Sequence, residues 1–263
     1  MIVSLLTDYG PGSEHVGILH ALLARSAPHA RIIDFAHDVP PGDIRAGAIM
    51  LGRVVPLCPV GIHIAVVDPG VGTDRRAVAL RDIDGRIHLG PDNGLLTEVA
   101  SPESVTVAVD LGGYRLHRQF ATFDGRDVFV PAAIDLCAGS QLDDIGPRID
   151  PSSLVRLPSP ESRVFGGHLM SEVVGVDRFG NVQLALGGDA LTAASLRVGE
   201  GVWVARPDGE RRHAVIGRTF SDVPPGGIAV LVDSHGHLAV VVNRGDASSF
   251  TGGSGTRLTI DRR

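Results

Sequence analysis

Lysine is missing altogether: all 24 basic residues among the 263 are arginine. A Schiff-base lysine, a pyridoxal-phosphate lysine and the lysine of a phosphate-binding loop are therefore excluded. Aromatic residues make up only 4% of the chain, and no basic block or aromatic-interleaved stripe occurs. Nucleic acid is not an expected partner. No apolar run approaches the ~20 residues of a membrane-spanning helix, so no membrane partner is expected either. The opening Met1-Ile2-Val3-Ser4-Leu5-Leu6-Thr7-Asp8 has no basic n-region and no cleavage site. It does not read as a signal peptide, and a cytoplasmic location is expected. Cys58 and Cys137 are isolated, without metal-ligand spacing, and are expected to be reduced thiols. No His-x-x-x-His or Cys-His cluster occurs, and His235-Gly236-His237 has no third ligand nearby. The expected metal set is none. Gly70-Val71-Gly72 lacks the third glycine and the downstream acid of a dinucleotide fingerprint. Ser4 and Ser13 have no elbow context for a serine nucleophile.

What remains is ordinary for a globular protein: 43% hydrophobic, 21% charged and a net charge of −6. The length allows one large or two medium domains. The chain is organised around His63-Ile64-Ala65-Val66-Val67-Asp68-Pro69-Gly70-Val71-Gly72-Thr73-Asp74-Arg75-Arg76. Its first half is a short β-branched run that breaks at Asp-Pro-Gly, which reads as a buried strand. Pro69 pushes Asp68 toward extended geometry, and the glycines let the backbone approach a ligand. Arg75 stands far enough along to fold back onto the Asp68 carboxylate. Ligands of open α/β sheets bind beyond the carboxyl ends of strands, where this pair would lie. The competing reading is a structural ion pair that stabilises the turn.

Before this strand come an apolar run at 2–6, helical spacing from His15 to Arg25, a strand at 30–35 and a helix at 44–55. That alternation predicts a parallel sheet with crossover helices. Asp84-Gly85 marks a hairpin between Val78–Asp82 and Ile87–Leu89. Pro91-Asp92-Asn93-Gly94-Leu95-Leu96 leads into a short helix, Val105–Val109 is a strand, and Thr122 to Pro131 opens a helix through Ala138. The Pro- and Ser-rich tract that follows reads as a linker. Beyond it, seven short apolar runs punctuated by Gly, Asp or Pro predict a small barrel or sandwich. The expected organisation is an α/β N-terminal domain with a mostly parallel sheet over 1–150, a linker over 151–163, and an all-β, barrel-like C-terminal domain over 164–263.

Asp8, Asp68 and Asp124 all lie at strand ends or helix starts, where Asp is commonly a turn or cap residue. Taken with Arg75 and Arg126-Asp127, they suggest an acidic pocket with fixed arginines, suited to a polyhydroxylated or cationic ligand. Asp177-Arg178-Phe179-Gly180-Asn181, Asp233-Ser234-His235-Gly236 and Asn243-Arg244-Gly245 read by composition as hairpin turns.

Six motifs in order carry a resemblance across most of the chain: Thr7-Asp8-Tyr9-Gly10, Val66-Val67-Asp68-Pro69-Gly70-Val71-Gly72-Thr73 with Arg75, Pro91 to Leu96, Thr122-Phe123-x-Gly125-Arg126-Asp127, Asp177 to Asn181, and Ser234-x-Gly236. The chain resembles the S-adenosylmethionine hydroxide adenosyltransferases, adenosine-forming S-adenosylmethionine hydrolases related to the fluorinases and chlorinases. The resemblance implies a homotrimer with active sites between the N-domain of one subunit and the C-domain of the next. It implies that Asp8 grips both ribose hydroxyls, Asp177 faces the methionine ammonium and Ser234 contacts the methionine carboxylate. Phe179 and Asn181 would surround the adenine, completed by backbone near Arg244. Asp68 and Arg75 would be two members of an Asp-Arg-His triad holding the attacking water. Halogenases lack the acid at the first of these positions, so water is favoured over halide. This chain departs from the pattern at the third member, with Asp124 in place of histidine. Two carboxylates would then face one water with Arg75 as their only nearby cation. The resemblance implies S-adenosyl-L-methionine as substrate and adenosine and L-methionine as products, and no cofactor is expected. The alternatives are a non-catalytic adenosine or S-adenosylmethionine binding protein and a halogenase.

Overall fold

In the computed structural model, which describes every residue except 102 and 116–119, β1 (Ile2–Thr7) pairs in parallel with both β2 (Arg31–Ala36) and β3 (Ile62–Val66). The crossovers run through α1 (Glu14–Ser26) and α2 (Ile44–Val54). Each helix starts on a side-chain cap: the Ser13 hydroxyl accepts from the His15 N–H, and Asp43 accepts from the Ala46 N–H at 2.9 Å. The period of two along β1 sorts its residues between the layers. Val3 and Leu5 pack with Leu19 and Leu23 of α1, whereas Leu6 packs with Leu51 of α2.

The alternation stops after β3. Asp84-Gly85 turns β4 (Ala77–Asp82) back onto β5 (Ile87–Pro91), with Gly85 at φ +85°. β4 also pairs antiparallel with β6 (Val105–Asp110), giving the order β2-β1-β3-β5-β4-β6. With three parallel and two antiparallel pairings, the sheet is mixed. The α/β expectation holds for this unit, but a mostly parallel sheet is not confirmed. A hairpin needs no crossover helix, and this one inserts a reversed strand between β5 and β6. The short helix expected after Pro91 is a run of turns through Val99. Helix α3 (Gly112–Arg115) follows β6, and a π-helical turn over Gly125–Phe129 leads directly into α4 (Val130–Cys137).

Contacts divide the chain into Met1–Leu157 and Pro158–Arg263. Much of the expected linker belongs to the first unit. The Val155 N–H donates to Asp92 Oδ1 at 2.8 Å and the Leu157 N–H to Thr97 Oγ1 at 3.0 Å. The second unit comprises β7 (Ser162–Phe165), β8 (His168–Val176), β9 (Val182–Gly187), β10 (Gly201–Ala205), β11 (Arg211–Ile216), β12 (Ile228–Val232), β13 (His237–Val242) and β14 (Arg257–Arg262). Pairing of β14 with β8 closes seven of these strands into a barrel, and β7 adds to β8. Leu184, Val202, Val230, Val240 and Ile260 fill its interior with Phe250.

A polar row crosses the core of the first unit. Ser4, His63 and His88 are register partners on β1, β3 and β5, and all are buried. Ser4 Oγ lies 2.8 Å from His63 Nδ1, and His88 Nε2 lies 3.0 Å from Asp82 Oδ2. Burial pushes the His63 pKa down to about 4, helped by His88 and Arg86 and opposed by Asp82. The unfolded chain would protonate this ring near pH 6.5 while the folded chain would not, so the unfolded state binds more protons below that pH. Stability should then fall as pH drops through the window from about 6.5 to about 4, by up to ~3 kcal/mol. Urea unfolding at about pH 7.5 and pH 4.5 measures this difference, and His63→Leu should narrow it. An unchanged pH dependence in the variant would place the acid sensitivity elsewhere.

Candidate active site

The ends of the three parallel strands converge on one loop cluster. Asp8 follows β1, and the Gly10 N–H donates to the carbonyl of His37, beyond β2, at 2.7 Å. The Gly42 N–H donates to Asp8 Oδ2 at 2.8 Å. Gly42 sits at φ +73°, and a Cβ there would lie 3.7 Å from Pro69 Cβ, which places the loop after β3 against the other two. This third loop is braced from behind. Asn93 donates its amide to the Val67 carbonyl at 2.9 Å, and Arg76 Nε donates to Asp92 Oδ2 at 2.7 Å. The Pro91-Asp92-Asn93 motif therefore holds the backbone on both sides of Asp68. Sequence reading gave these supporting residues no role.

Arg75 folds back as its spacing suggested. Its Nε donates to Asp68 Oδ1 at 2.9 Å, and its Nη2 donates to Asp68 Oδ2. The same Nη2 lies 2.8 Å from Asp124 Oδ2, so one guanidinium joins both carboxylates. The side chains of Asp68, Arg75 and Asp124 are 4%, 9% and 0% exposed, which makes desolvation and pairing decisive here. Asp124 occupies the N-cap position of the π-helical turn but makes no side-chain cap bond. Its carboxylate is turned to the guanidiniums instead, which rules out a mere capping role. Single π turns within helices gather at functional sites.

The expectation that Arg75 alone offsets the two acids is corrected by Arg115. From α3, its Nη2 donates to Asp124 Oδ2 at 3.0 Å. Among the described residues, two carboxylates and two guanidiniums meet in the cluster. No motif flags Arg115, because α3 reaches Asp124 only through the tertiary fold. Arg126, by contrast, pairs with its neighbour Asp127 (Nε to Oδ1, 2.7 Å) and stacks over Phe123 at 5.2 Å.

Tyr9 fills the space beside these groups. Its pKa is raised, first by burial and then by Asp8, Asp68 and Asp124, with Arg75 opposing. The phenol therefore stays protonated. Its ring meets Phe123 edge-on at 5.7 Å, and its hydroxyl lies 2.6 Å from where a Cβ on Gly125 would stand. Glycine at 125 is what admits the phenol. One oxygen of Asp8 is occupied by the Gly42 amide, and Oδ1 has no hydrogen-bond partner among the described residues.

In the barrel, Asp177, Phe179 and Asn181 share the turn between β8 and β9. Asp177 Oδ1 accepts from the Phe179 and Asn181 amides at 2.8 and 2.9 Å, and Oδ2 accepts from Asn181 Nδ2 at 2.8 Å. Much of the Asp177 carboxylate is thus spent on its own turn. Phe179 is 70% exposed. The Ala247 N–H donates to the Gly180 carbonyl at 3.0 Å, which draws in the loop bearing Arg244, itself at φ +56°. Gln183 Nε2 donates to Asp233 Oδ2 at 2.9 Å, tying the Ser234 turn to the strand that begins just after Asn181. The predicted residues thus form two groups, one in each unit.

Residues 3–146 match the SAM hydroxide adenosyltransferase N-terminal domain, and residues 171–255 match the C-terminal domain of the same family. The chain belongs to the SAM hydroxide adenosyltransferase family. It is similar to the (R)-S-adenosyl-L-methionine hydrolase of Salinispora arenicola, at 47% identity over 98% of this chain and 97% of that one. A fluorinase from Actinopolyspora mzabensis is similar at 24% identity over 92% and 90% of the two chains. An uncharacterized conserved protein from Thermotoga maritima, solved by crystallography, superposes with a TM-score of 0.88 at 33% identity, covering 100% of both chains.

The resemblance places a histidine where this SAM hydroxide adenosyltransferase has Asp124, and here Arg115 joins Arg75 on that carboxylate. Restoring histidine alone would leave the Arg115 guanidinium, 16% exposed, facing an uncharged or cationic ring. Asp124→His is therefore expected to lower kcat by at least about tenfold, and Asp124→His with Arg115→Gln to recover most of it, a non-additivity of at least ~1.4 kcal/mol. Steady-state rates of the two single variants and the double variant measure it. Additive effects, or a gain from Asp124→His alone, would separate Arg115 from the function of Asp124.

Proposed function

We propose that the chain hydrolyses S-adenosyl-L-methionine to adenosine and L-methionine by in-line attack of a positioned water at C5′. The observation that carries this reading is the buried bridge of Asp68, Arg75 and Asp124 beside the Asp8 loop. In the reaction the water oxygen bonds to C5′ as the C5′–S bond breaks. The electron pair of that bond goes to sulfur, which leaves as a neutral thioether. The water proton passes to one of the two carboxylates and on to solvent. A sulfonium leaving group needs no general acid, so the chemistry requires neither a metal nor an organic cofactor. Holding the nucleophile behind C5′ is the main demand, and positioning of this kind contributes roughly 7–11 kcal/mol in favourable systems. The guanidiniums fix the carboxylates, and the carboxylates orient the water.

Asp8 takes the ribose hydroxyls in this reading, with Oδ1 oriented by the amide bond to Oδ2. Asp177 faces the methionine ammonium, Ser234 the methionine carboxylate, and Phe179, Asn181 and the backbone at Arg244 the adenine. The protein works as a homotrimer, with each site shared by the N-terminal unit of one subunit and the barrel of the next. The exposed ring of Phe179 supports this, since an aromatic platform needs a covering surface. The unpaired thiols of Cys58 and Cys137 support a reducing, cytoplasmic setting.

Incubation with S-adenosyl-L-methionine, using separate (R) and (S) sulfonium epimers, followed by chromatography should yield adenosine and methionine in equal amounts. Tight binding without product would favour a binding protein, and a 5′-halo-5′-deoxyadenosine formed with added halide would favour a halogenase. For the assembly, Asp68→Asn and Asp177→Asn should each be inactive, and trimers mixed from the two should regain activity. Mixed assemblies that stay inactive, or an active monomer in sedimentation, would refute the shared site.

A further inference from the structure

The fold brings together three residues whose spacing in the sequence carries no metal pattern: His20 on α1, Asp34 on β2 and His37 just beyond β2. Their ligand atoms all lie within 4.8 Å of one another. Both imidazoles converge on one carboxylate oxygen, with His20 Nε2 at 2.9 Å and His37 Nε2 at 3.1 Å from Asp34 Oδ1. The His37 side chain is 10% exposed. Its Nε2 is buried, and its approach to Asp34 is not aligned for a hydrogen bond. On the other side of the ring, Nδ1 lies 2.9 Å from Thr7 Oγ1, which also accepts from the Tyr9 N–H at 3.3 Å. With Nδ1 held by Thr7, the buried Nε2 has no hydrogen-bond partner among the described residues, and its in-plane axis runs off the line to Asp34 Oδ1. A metal ion beside that line would take both atoms as neighbouring ligands.

We propose that His20, Asp34 and His37 form a binding site for a first-row divalent transition metal, outside the hydrolytic chemistry. Two imidazoles and a carboxylate are a known donor set for such ions, and neighbouring ligands at about 2.1 Å from an octahedral metal stand about 3.0 Å apart. The separations between the histidine nitrogens and Asp34 Oδ1 match that edge. Thr7 supplies the outer hydrogen bond that fixes the tautomer of a ligating histidine. His20 and Asp34 are 38% and 42% exposed, which provides an entry path and leaves positions for water. Nitrogen donors select Zn2+, Ni2+ or Co2+ over Mg2+. The bound ion clips α1 to the end of β2, next to the strand end that carries Asp8.

Isothermal titration of the full chain, stripped with chelator and desalted, tests this with Zn2+ alone, then Ni2+ and Mg2+. The expected result is one Zn2+ per chain with a Kd on the order of 1 μM or tighter, Ni2+ competing and Mg2+ not. His20→Ala and Asp34→Asn, on the solvent side of the cluster, should each weaken binding by at least about 30-fold. His29→Ala, which removes an exposed histidine outside the cluster, should not. Zn2+ should raise the thermal midpoint of the unmodified chain and of His29→Ala only. Absence of saturable Zn2+ binding, or binding that survives both His20→Ala and Asp34→Asn, would overturn the proposal.

Discussion

The Arg75 guanidinium is the constraint on which the candidate site depends. It lies between a carboxylate on the loop after β3 and a carboxylate at the start of the π-helical turn, and it bonds to both. Buried acids held so close would repel one another without it. Removing one partner from a buried pair commonly costs about 3–5 kcal/mol, because the remaining charge is stranded. The loops therefore have to arrive together. The amide of Gly42 on Asp8, the Asn93 bond to Val67 and the Arg76–Asp92 pair are the local contacts that deliver them.

Charge balance explains how an aspartate can stand where the family resemblance places a histidine. Among the described residues, Arg115 brings a second positive charge to Asp124 beside that of Arg75. Tyr9 stays neutral among these charges because its phenol is buried beside three acids. It can serve as a hydrogen-bond donor but not as a base. Shape follows the same demand, since Gly125 leaves the space that the Tyr9 hydroxyl occupies.

Features that are local in the chain were legible in the sequence. The fold-back of Arg75 onto Asp68 spans one turn, and the Asp84-Gly85 hairpin involves near neighbours. The barrel strands were marked by their punctuation. Features created by tertiary contact were not. The reversed strand β4 depends on which edge a hairpin joins, and the attachment of Val155 and Leu157 to the first unit depends on side chains at Asp92 and Thr97. Arg115 sits in a segment with no motif. His20, Asp34 and His37 come together only because α1 lies over β2. Asp177 is a mixed case: its place in a turn was readable, but the extent to which that turn uses its carboxylate was not.

Isotope tracing tests the central claim, that the bridged carboxylates direct water at C5′. The account predicts that turnover in H2(18)O places one labelled oxygen in the 5′-hydroxyl of adenosine and none in methionine, and that Asp68→Asn suppresses the labelled product while S-adenosyl-L-methionine still binds. Adenosine without label, label in the methionine portion, or full labelling in Asp68→Asn would contradict it.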